Sequence, residues 1–424
     1  MRKMLLLILL SGVTASAGWW SSLTQHLPLS TTSNVSSREQ RESQEALQVL
    51  NMIRHQVGMI PLRSSSTLQK AAQAHARYLV RYGVVSHRER SGRGGFSGSR
   101  PLDRALRVGY ASRYVSENLS TGSVDIRRSI RGLFSAIYHR FIFLDPGYDE
   151  VGIGSAHSLH GRVRHAYVYL LGNHTLDTLC REPGYTGRAR YVYGVCADTQ
   201  HRIEAGRFER ARTGLKERNP RIIVYPADGQ RDVPPAFYRE EPDPLPEYDV
   251  SGYPVSVAFN DRYFRKVDLI SFRLFEEGGS APLPARLLDK RTDPHHRLTR
   301  RQFALMPLQR LKWGQRYRAE IVYRHKGKRH TLRWHFTTRR PEKPLRIVSG
   351  KQESITLEGG RSYWLYFPPV NGKDVLGTMR YPEDVKVRFV DPNTLEVLIP
   401  KDRTRPFEIV GSGRKVQIRL SLKK

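Results

Sequence analysis

Residues 135–154 read SAIYHRFIFLDPGYDEVGIG. Ile137, Phe141, Phe143 and Leu144 suit the apolar side of a helix end settling on a sheet. Val151 and the Gly-Ile-Gly that follows suit the start of the next strand. His139 and Glu150 are the polar exceptions in this apolar run. Packing alone would account for the hydrophobic residues, but it does not account for these two.

Upstream, helical periodicity recurs. Leu47, Leu50 and Ile53 mark a helix within Glu42–Met59, and a second begins near Ser66-Thr67 and carries Leu68, Ala71, Ala72, His75, Ala76 and Leu79 up to Gly83. Pro101 suits the first turn of a short third helix ending near Gly109. Ile126, Ile130, Leu133, Phe134 and Ile137 predict a fourth, with Asp125 near its start. Val151–Gly154 and HAYVYLLGN then read as strands of a small sheet. Helices mixed with a late hairpin predict a compact α+β or layered domain over residues 42–175.

Downstream the texture changes. Residues 176–218 hold the two cysteines, Cys180 and Cys196, and read as a stapled linker. In an oxidising compartment such a pair closes one disulfide, worth about 3 kcal/mol in the chain-entropy model. From Asn219 short alternating runs replace helical periodicity, among them YPVSVAFN, LISFRLF, RYRAEIVYRH and TLRWHFTT. Strands between turn signals predict a β-sandwich over residues 219–339. In the final stretch, 340–424, Val416, Ile418, Leu420 and Leu422 alternate with polar residues, predicting a small all-β unit with one buried face.

The start, MRKMLLLILLSGVTASAGWW, has a basic pair, a short apolar core and small residues before a cleavage point. It reads as a secretory signal peptide over residues 1–17, with residues 18–41 as a flexible lead-in. No later stretch has the roughly 20 apolar residues of a transmembrane helix, so the expected product is exported, to the periplasm or beyond. With 71 Lys and Arg against 40 Asp and Glu, the chain carries a formal charge of +31. That field favours anionic partners such as lipid or polysaccharide of a cell envelope. The basic residues are spread along the chain, which argues against a specific nucleic-acid site.

Four signals fall in order in the N-terminal third: AAQAHARYLVRYGVVSH, PLDRALRVGY, VSENLSTG and YHRFIFLDPGYDEVGIG. Together they resemble the CAP superfamily, the cysteine-rich secretory, antigen 5 and pathogenesis-related-1 proteins, in its bacterial form. The resemblance spans residues 42–172 and implies an α-β-α sandwich with a polar cleft on one side. By motif, the cleft residues would be His87, Glu117, His139 and Glu150. Ser116 and Tyr138 stand where the family usually has glycine, and Phe134 or Leu133 replaces its common tryptophan. The C-terminal half resembles bacterial immunoglobulin-like modules through YPADGQRDVP and its late strands.

Two imidazoles and two carboxylates in one cleft could bind a divalent cation such as zinc through His87 and His139. They could serve as general acid and base, or simply form a hydrogen-bonded cluster. A nucleophile is missing: no Gly-x-Ser-x-Gly elbow and no His-Glu-x-x-His helix occurs. The leading expectation is a non-enzymatic exported protein that binds a metal-assisted, lipid-like or envelope ligand, with β-modules for adhesion or spacing. The alternatives are a hydrolase of peptide or envelope polymer with Glu117 or Glu150 as base, and an adhesive scaffold that binds acidic polymers.

Overall fold

The computed structural model describes residues 34–421, with side chains from residue 37 onward. The expected signal peptide lies outside the described residues. The chain is multidomain, with helices and a sheet in its N-terminal part and many strands in several sheets after it. It divides into two units. Among the described residues, one comprises 34–52, 61–133 and 147–212; the other comprises 53–60, 134–146 and 213–421.

In the first unit the order is α1 (Asn34–Gln56), β1 (Arg63–Ser64), α2 (Ser66–Tyr82), α3 (Pro101–Arg107), β2 (Val115–Thr121) and α4 (Ile126–Ser135). The next helix, α5 (Ile137–Phe143), belongs to the second unit, and the first resumes with β3 (Glu150–His157), β4 (His165–Gly172) and α6 (His174–Arg181). The sheet runs β1-β3-β4-β2, antiparallel except for the parallel β1–β3 pair.

Helix α2 sets the architecture of this unit. Its Ser65 hydroxyl accepts from the Leu68 amide at the N-cap, and Gly83 ends it in the left-handed conformation at φ 60°. Leu68, Ala71, Ala72, Ala76 and Leu79 bury one face against β3 and β4. Small residues on the helix are matched by small residues on the strand. A Cβ at Gly152 would overlap the backbone of Leu68 and Gln69, and one at Gly154 that of Ala72 and Gln73. The Gly-Ile-Gly of the opening stretch is therefore the seat of α2, a role that strand periodicity does not reveal.

Two helices differ from expectation. Helix α1 begins at Asn34, ahead of Glu42. Its early turns are anchored by tertiary contacts: Glu39 accepts from Gln73 and Arg77, and Glu42 accepts from His157 and Ser155. Burial would raise the Glu42 carboxyl, yet the bonds from His157 and Ser155 hold it at about 2. The expected fourth helix is broken. Ala136 adopts an extended backbone (ψ 107°), so α4 ends at Ser135 and α5 starts afresh. The Arg140 Nε donates to the Phe134 carbonyl at 2.6 Å, serving one of the acceptors that a helix end leaves open.

A disulfide joins Cys180, in the last turn of α6, to Cys196, as the sequence reading expected. In the second unit, residues 222–338 form two four-stranded sheets. One orders Ala285–Leu288, Gln302–Pro307, Val255–Phe259 and Ile222–Tyr225; the other orders Asp268–Glu276, Arg316–His325, Lys328–Thr338 and Gln230–Val233. Residues 345–421 build two more four-stranded sheets around Leu365, Val397, Ile409, Val416 and Ile418. Along the last strand Val416 and Ile418 are buried while Lys415, Gln417 and Arg419 are exposed, which is the expected alternation. No helix among the described residues is long and apolar enough to cross a membrane.

Candidate functional site

The four residues singled out by sequence fall into three separate sets of contacts. The largest set is built where the loop after α2 passes over β2. Glu117 projects from β2 with its side chain 1% exposed. Its Oε1 accepts from His87 Nδ1 at 2.9 Å, and its Oε2 accepts from Arg104 on α3 at 2.7 Å. Arg104 is itself fully buried and also donates to the carbonyls of His87 and Gly98. Beneath them His75 of α2 contacts Glu89 Oε1 through Nδ1 at 2.9 Å and the Ser86 carbonyl through Nε2 at 3.0 Å. His75 and Arg104 thus lie between the two buried carboxylates, Glu89 and Glu117.

The titration of these acids follows from their neighbours. Burial pushes Glu117 up, but the His87 hydrogen bond and the charges of Arg104 and His75 outweigh it and hold the carboxyl below its ordinary value. Glu89 is likewise opposed by burial, yet it is held low by His75 and by the Ser97 amide and hydroxyl. The glycine-rich loop that carries Ser97 is thus pinned from within. His87 is the one side chain of this network that reaches solvent substantially, at 48% exposure.

Glu150 forms the second set. It opens β3, is 4% exposed, and accepts from Tyr110 Oη at 2.6 Å, with His174 Nδ1 at 3.7 Å. Burial raises its carboxyl above the ordinary value, with Asp149 and Asp177 adding to the rise, while Tyr110 and His174 only partly oppose it. Strand register places Glu117 opposite Leu170 and Leu170 opposite Gly152. With period-two alternation, Glu150 and Glu117 lie on the same side of the sheet, the side that α2 covers.

His139 forms the third set, in the second unit. Its Nδ1 lies 3.5 Å from Glu240 Oε2, and burial raises the Glu240 carboxyl while His139 opposes that rise. The neighbours of His139 on α5 point to partners in the same unit. Tyr138 Oη donates to Asp293, and Arg140 donates to the Pro254 carbonyl and Ser256 Oγ. Ile137 and Phe141 pack with Phe237, Leu245, Leu298 and Met306.

Zinc needs at least three protein ligands in either a structural or a catalytic site. Among the described residues no group of three or more His, Cys, Asp or Glu side chains is arranged to hold a metal ion. Around His87 the nearest carboxylate is already engaged by Arg104 and by His87 itself. This set does not fit a resident zinc.

Sequence reasoning placed His75 on the apolar face of the second helix and passed over Glu89, Arg104, Tyr110 and Glu240 as site residues. Glu89 did leave a trace, as the single acid between Arg88 and Arg100 in a basic, glycine-rich stretch. Arg104 left none, since its neighbours Leu102 and Ala105 mask it in an ordinary amphipathic turn.

Residues 47–172 match the profile of CAP, the cysteine-rich secretory protein family. A comparison with curated proteins finds no match. Among solved structures, the chain is similar to an extracellular protein containing an SCP domain from Bacillus anthracis, at 16% identity and a TM-score of 0.28. That match covers 33% of this chain, and the chain spans 44% of the length of the Bacillus protein. It is also similar to an outer surface protein from Borrelia burgdorferi, at 17% identity over 31% of this chain and 92% of that one, with a TM-score of 0.28. A copper resistance protein from Escherichia coli follows at 12% identity and a TM-score of 0.17, covering 27% of this chain and 95% of that one.

Proposed function

Because residues 47–172 form a CAP domain, we propose that the chain is an exported, non-enzymatic binding protein whose CAP domain takes a lipid-like or polar envelope ligand at His87. The observation that supports this is the state of Glu117. Its two oxygens are occupied by His87 and Arg104, and its carboxyl is held ionised. A general base needs an oxygen within reach of substrate; this one is committed to holding His87 in place. With Nδ1 bound to Glu117, His87 offers Nε2 and its exposed ring face to a hydroxyl or anionic group. Export is supported by the leader-like first 17 residues and by the disulfide.

The test is binding of the full chain to vesicles of phosphatidylglycerol and phosphatidylcholine, and to vesicles made from an envelope lipid extract. His87→Ala should weaken binding by about tenfold, one lost charge-assisted hydrogen bond, with an unchanged circular dichroism spectrum. Equal binding by the variant and the parent would overturn the proposal.

A hydrolase is the second reading, and Glu150 favours it. A buried carboxyl raised above its ordinary value beside a half-exposed histidine is the kind of group that can hold and deliver a proton at a higher pH than an ordinary carboxyl does. On that reading, turnover of peptide or envelope polymer is detectable and vanishes in Glu150→Gln. Absence of turnover in the parent protein sinks it.

A further inference from the structure

The hairpin Arg316–His325/Lys328–Thr338 ends in the stretch Arg324-His325-Lys326-Gly327-Lys328-Arg329-His330. Arg324, Lys326, Lys328 and Arg329 are all exposed, and none forms an ion pair with any described residue. The register sets Arg324 directly opposite Arg329 on one side and opposite Asp268, which pairs with Lys266, on the other, and His325 directly opposite Lys328. Like charges facing each other across a strand pair weaken it. The turn adds a second concession. Lys326 sits at φ 49° and Gly327 at φ 76°, a two-residue turn whose first position favours Asn, Asp or Gly. A lysine there adds a cation where the backbone would prefer another residue.

The body of the same sheet behaves differently. Arg333 and Arg318 share Glu320 at 2.6 and 3.5 Å, Lys312 pairs with Glu276 at 2.8 Å, and Arg316 lies 3.6 Å from Glu277. Those cations have acid partners, whereas exposed Arg231 and Arg273 of the same sheet form no ion pair among the described residues; the tip is distinct in gathering four such cations within six residues. The tip is also held firmly: His330 stacks on Tyr323 at 5.2 Å and His325 packs on Phe264 at 4.6 Å. An exposed cluster of four cations with no ion pair among the described residues, held by ring contacts at a turn, favours an anionic partner.

We propose that residues 324–330 form a docking site for a linear acidic polysaccharide, carboxylated or sulfated. Charge complementarity supports the partner, and the surface chemistry narrows it. None of the large exposed hydrophobic residues lies in the tip, and Tyr323 is buried beneath it. A single-stranded nucleic acid would want an exposed aromatic platform for its bases. A membrane surface would want an apolar wedge beside the charges. A polysaccharide with regularly spaced anions needs only the point charges. This site is separate from the one assigned to His87, in residues and in ligand.

The experiment measures binding of the full chain to alginate, dextran sulfate, oligothymidylate and phosphatidylglycerol vesicles across a salt series. The variant carries Arg324→Ser, Lys326→Ser, Lys328→Ser and Arg329→Ser. A charge-matched control carries Lys351→Ser, Lys373→Ser, Arg380→Ser and Lys401→Ser, which are exposed elsewhere. The hairpin variant should lose at least about tenfold in affinity for alginate or dextran sulfate, and its slope of log affinity against log salt should fall by about 3, as for four lost contacts to a single-stranded polyanion. The control should bind both polysaccharides as the parent does. Equal weakening of hairpin variant and control would overturn the proposal, because net charge alone would then explain binding. Tighter binding of the tip to oligothymidylate or to vesicles than to both polysaccharides would overturn the choice of partner.

Discussion

Glu117 and Glu150 lie on the same side of one sheet, under the same helix, at nearly the same exposure of 6% and 4%. One is held below its ordinary titration range and the other is pushed above it. Burial is the largest influence on both and acts in the same direction, so it cannot be what separates them. The difference lies in what each carboxylate faces. Glu117 has a guanidinium at 2.7 Å and a histidine at 2.9 Å, whereas Glu150 has a neutral phenol at 2.6 Å and two acids nearby. The lesson is that one sheet face carries a charge clamp and a protonatable acid, sorted by the partners that loops and short helices bring.

The comparison can be broken most forcefully at Arg104. Arg104→Ala removes the guanidinium and leaves Glu117 buried beside histidines alone, which should destabilise the protein by about 3–5 kcal/mol. Chemical denaturation checks this, and a carbonyl NMR titration should show Glu117 rising toward or past its ordinary value. An Arg104→Ala protein as stable as the parent would mean that the histidines suffice.

Lifting α2 would erase the contrast from both sides. Gly152→Ala drives a methyl group into the Leu68–Gln69 backbone, so α2 must shift. Overpacking of this kind costs about 1–3 kcal/mol, read as a lowered denaturation midpoint. Both carboxyls should then move toward ordinary values as water reaches them. Seating by glycine is refuted if the variant matches the parent in stability.

The pH dependence of stability should sharpen the contrast, because the two acids enter with opposite signs. A carboxyl lowered in the folded state stabilises above its unfolded value and loses that contribution as pH falls through its folded value. Glu117 therefore contributes to acid unfolding below the ordinary 4.5. A carboxyl raised in the folded state does the reverse: its favourable contribution is present below the unfolded value and is lost as pH rises through the folded one. Glu150 should make stability fall as pH climbs above 4.5, by at most about 1.4 kcal/mol per pH unit. Denaturation midpoints of Glu150→Gln across that window should show a flatter decline than the parent. A parallel decline would remove Glu150 from the account.

The smallest change tests the phenol. Tyr110→Phe removes one hydrogen bond to Glu150 and should cost about 1 kcal/mol, while pushing the Glu150 carboxyl higher still. A carboxyl that stays put in an NMR titration would show that Tyr110 is not its restraint.

Much of this fold was legible from residues alone. The order of helices and strands around HAYVYLLGN followed from periodicity, and Cys180 and Cys196 from count and compartment. In the candidate site, His87 and Glu117 do meet. Residues whose importance is pairwise were harder to see. Arg104 is invisible in its turn because its partner is 13 positions away, and Glu240 lies far down the chain from His139. The break at Ala136 escaped periodicity because Ile130, Leu133, Phe134 and Ile137 keep helical spacing across it.

The sequence by itself determined most of the helices and strands, though not their exact ends, because the spacing of apolar residues is a local property with its own period. It also determined that two cysteines could pair and that the chain is strongly basic. Only the tertiary structure decided that Gly152 and Gly154 seat a helix, that Glu117 is clamped while Glu150 is not, and that His139 turns to Glu240. The same holds for the four cations within residues 324–330, which form no ion pair among the described residues. Each of these depends on the distance between groups remote in sequence, and at short range that distance sets both steric overlap and electrostatic energy.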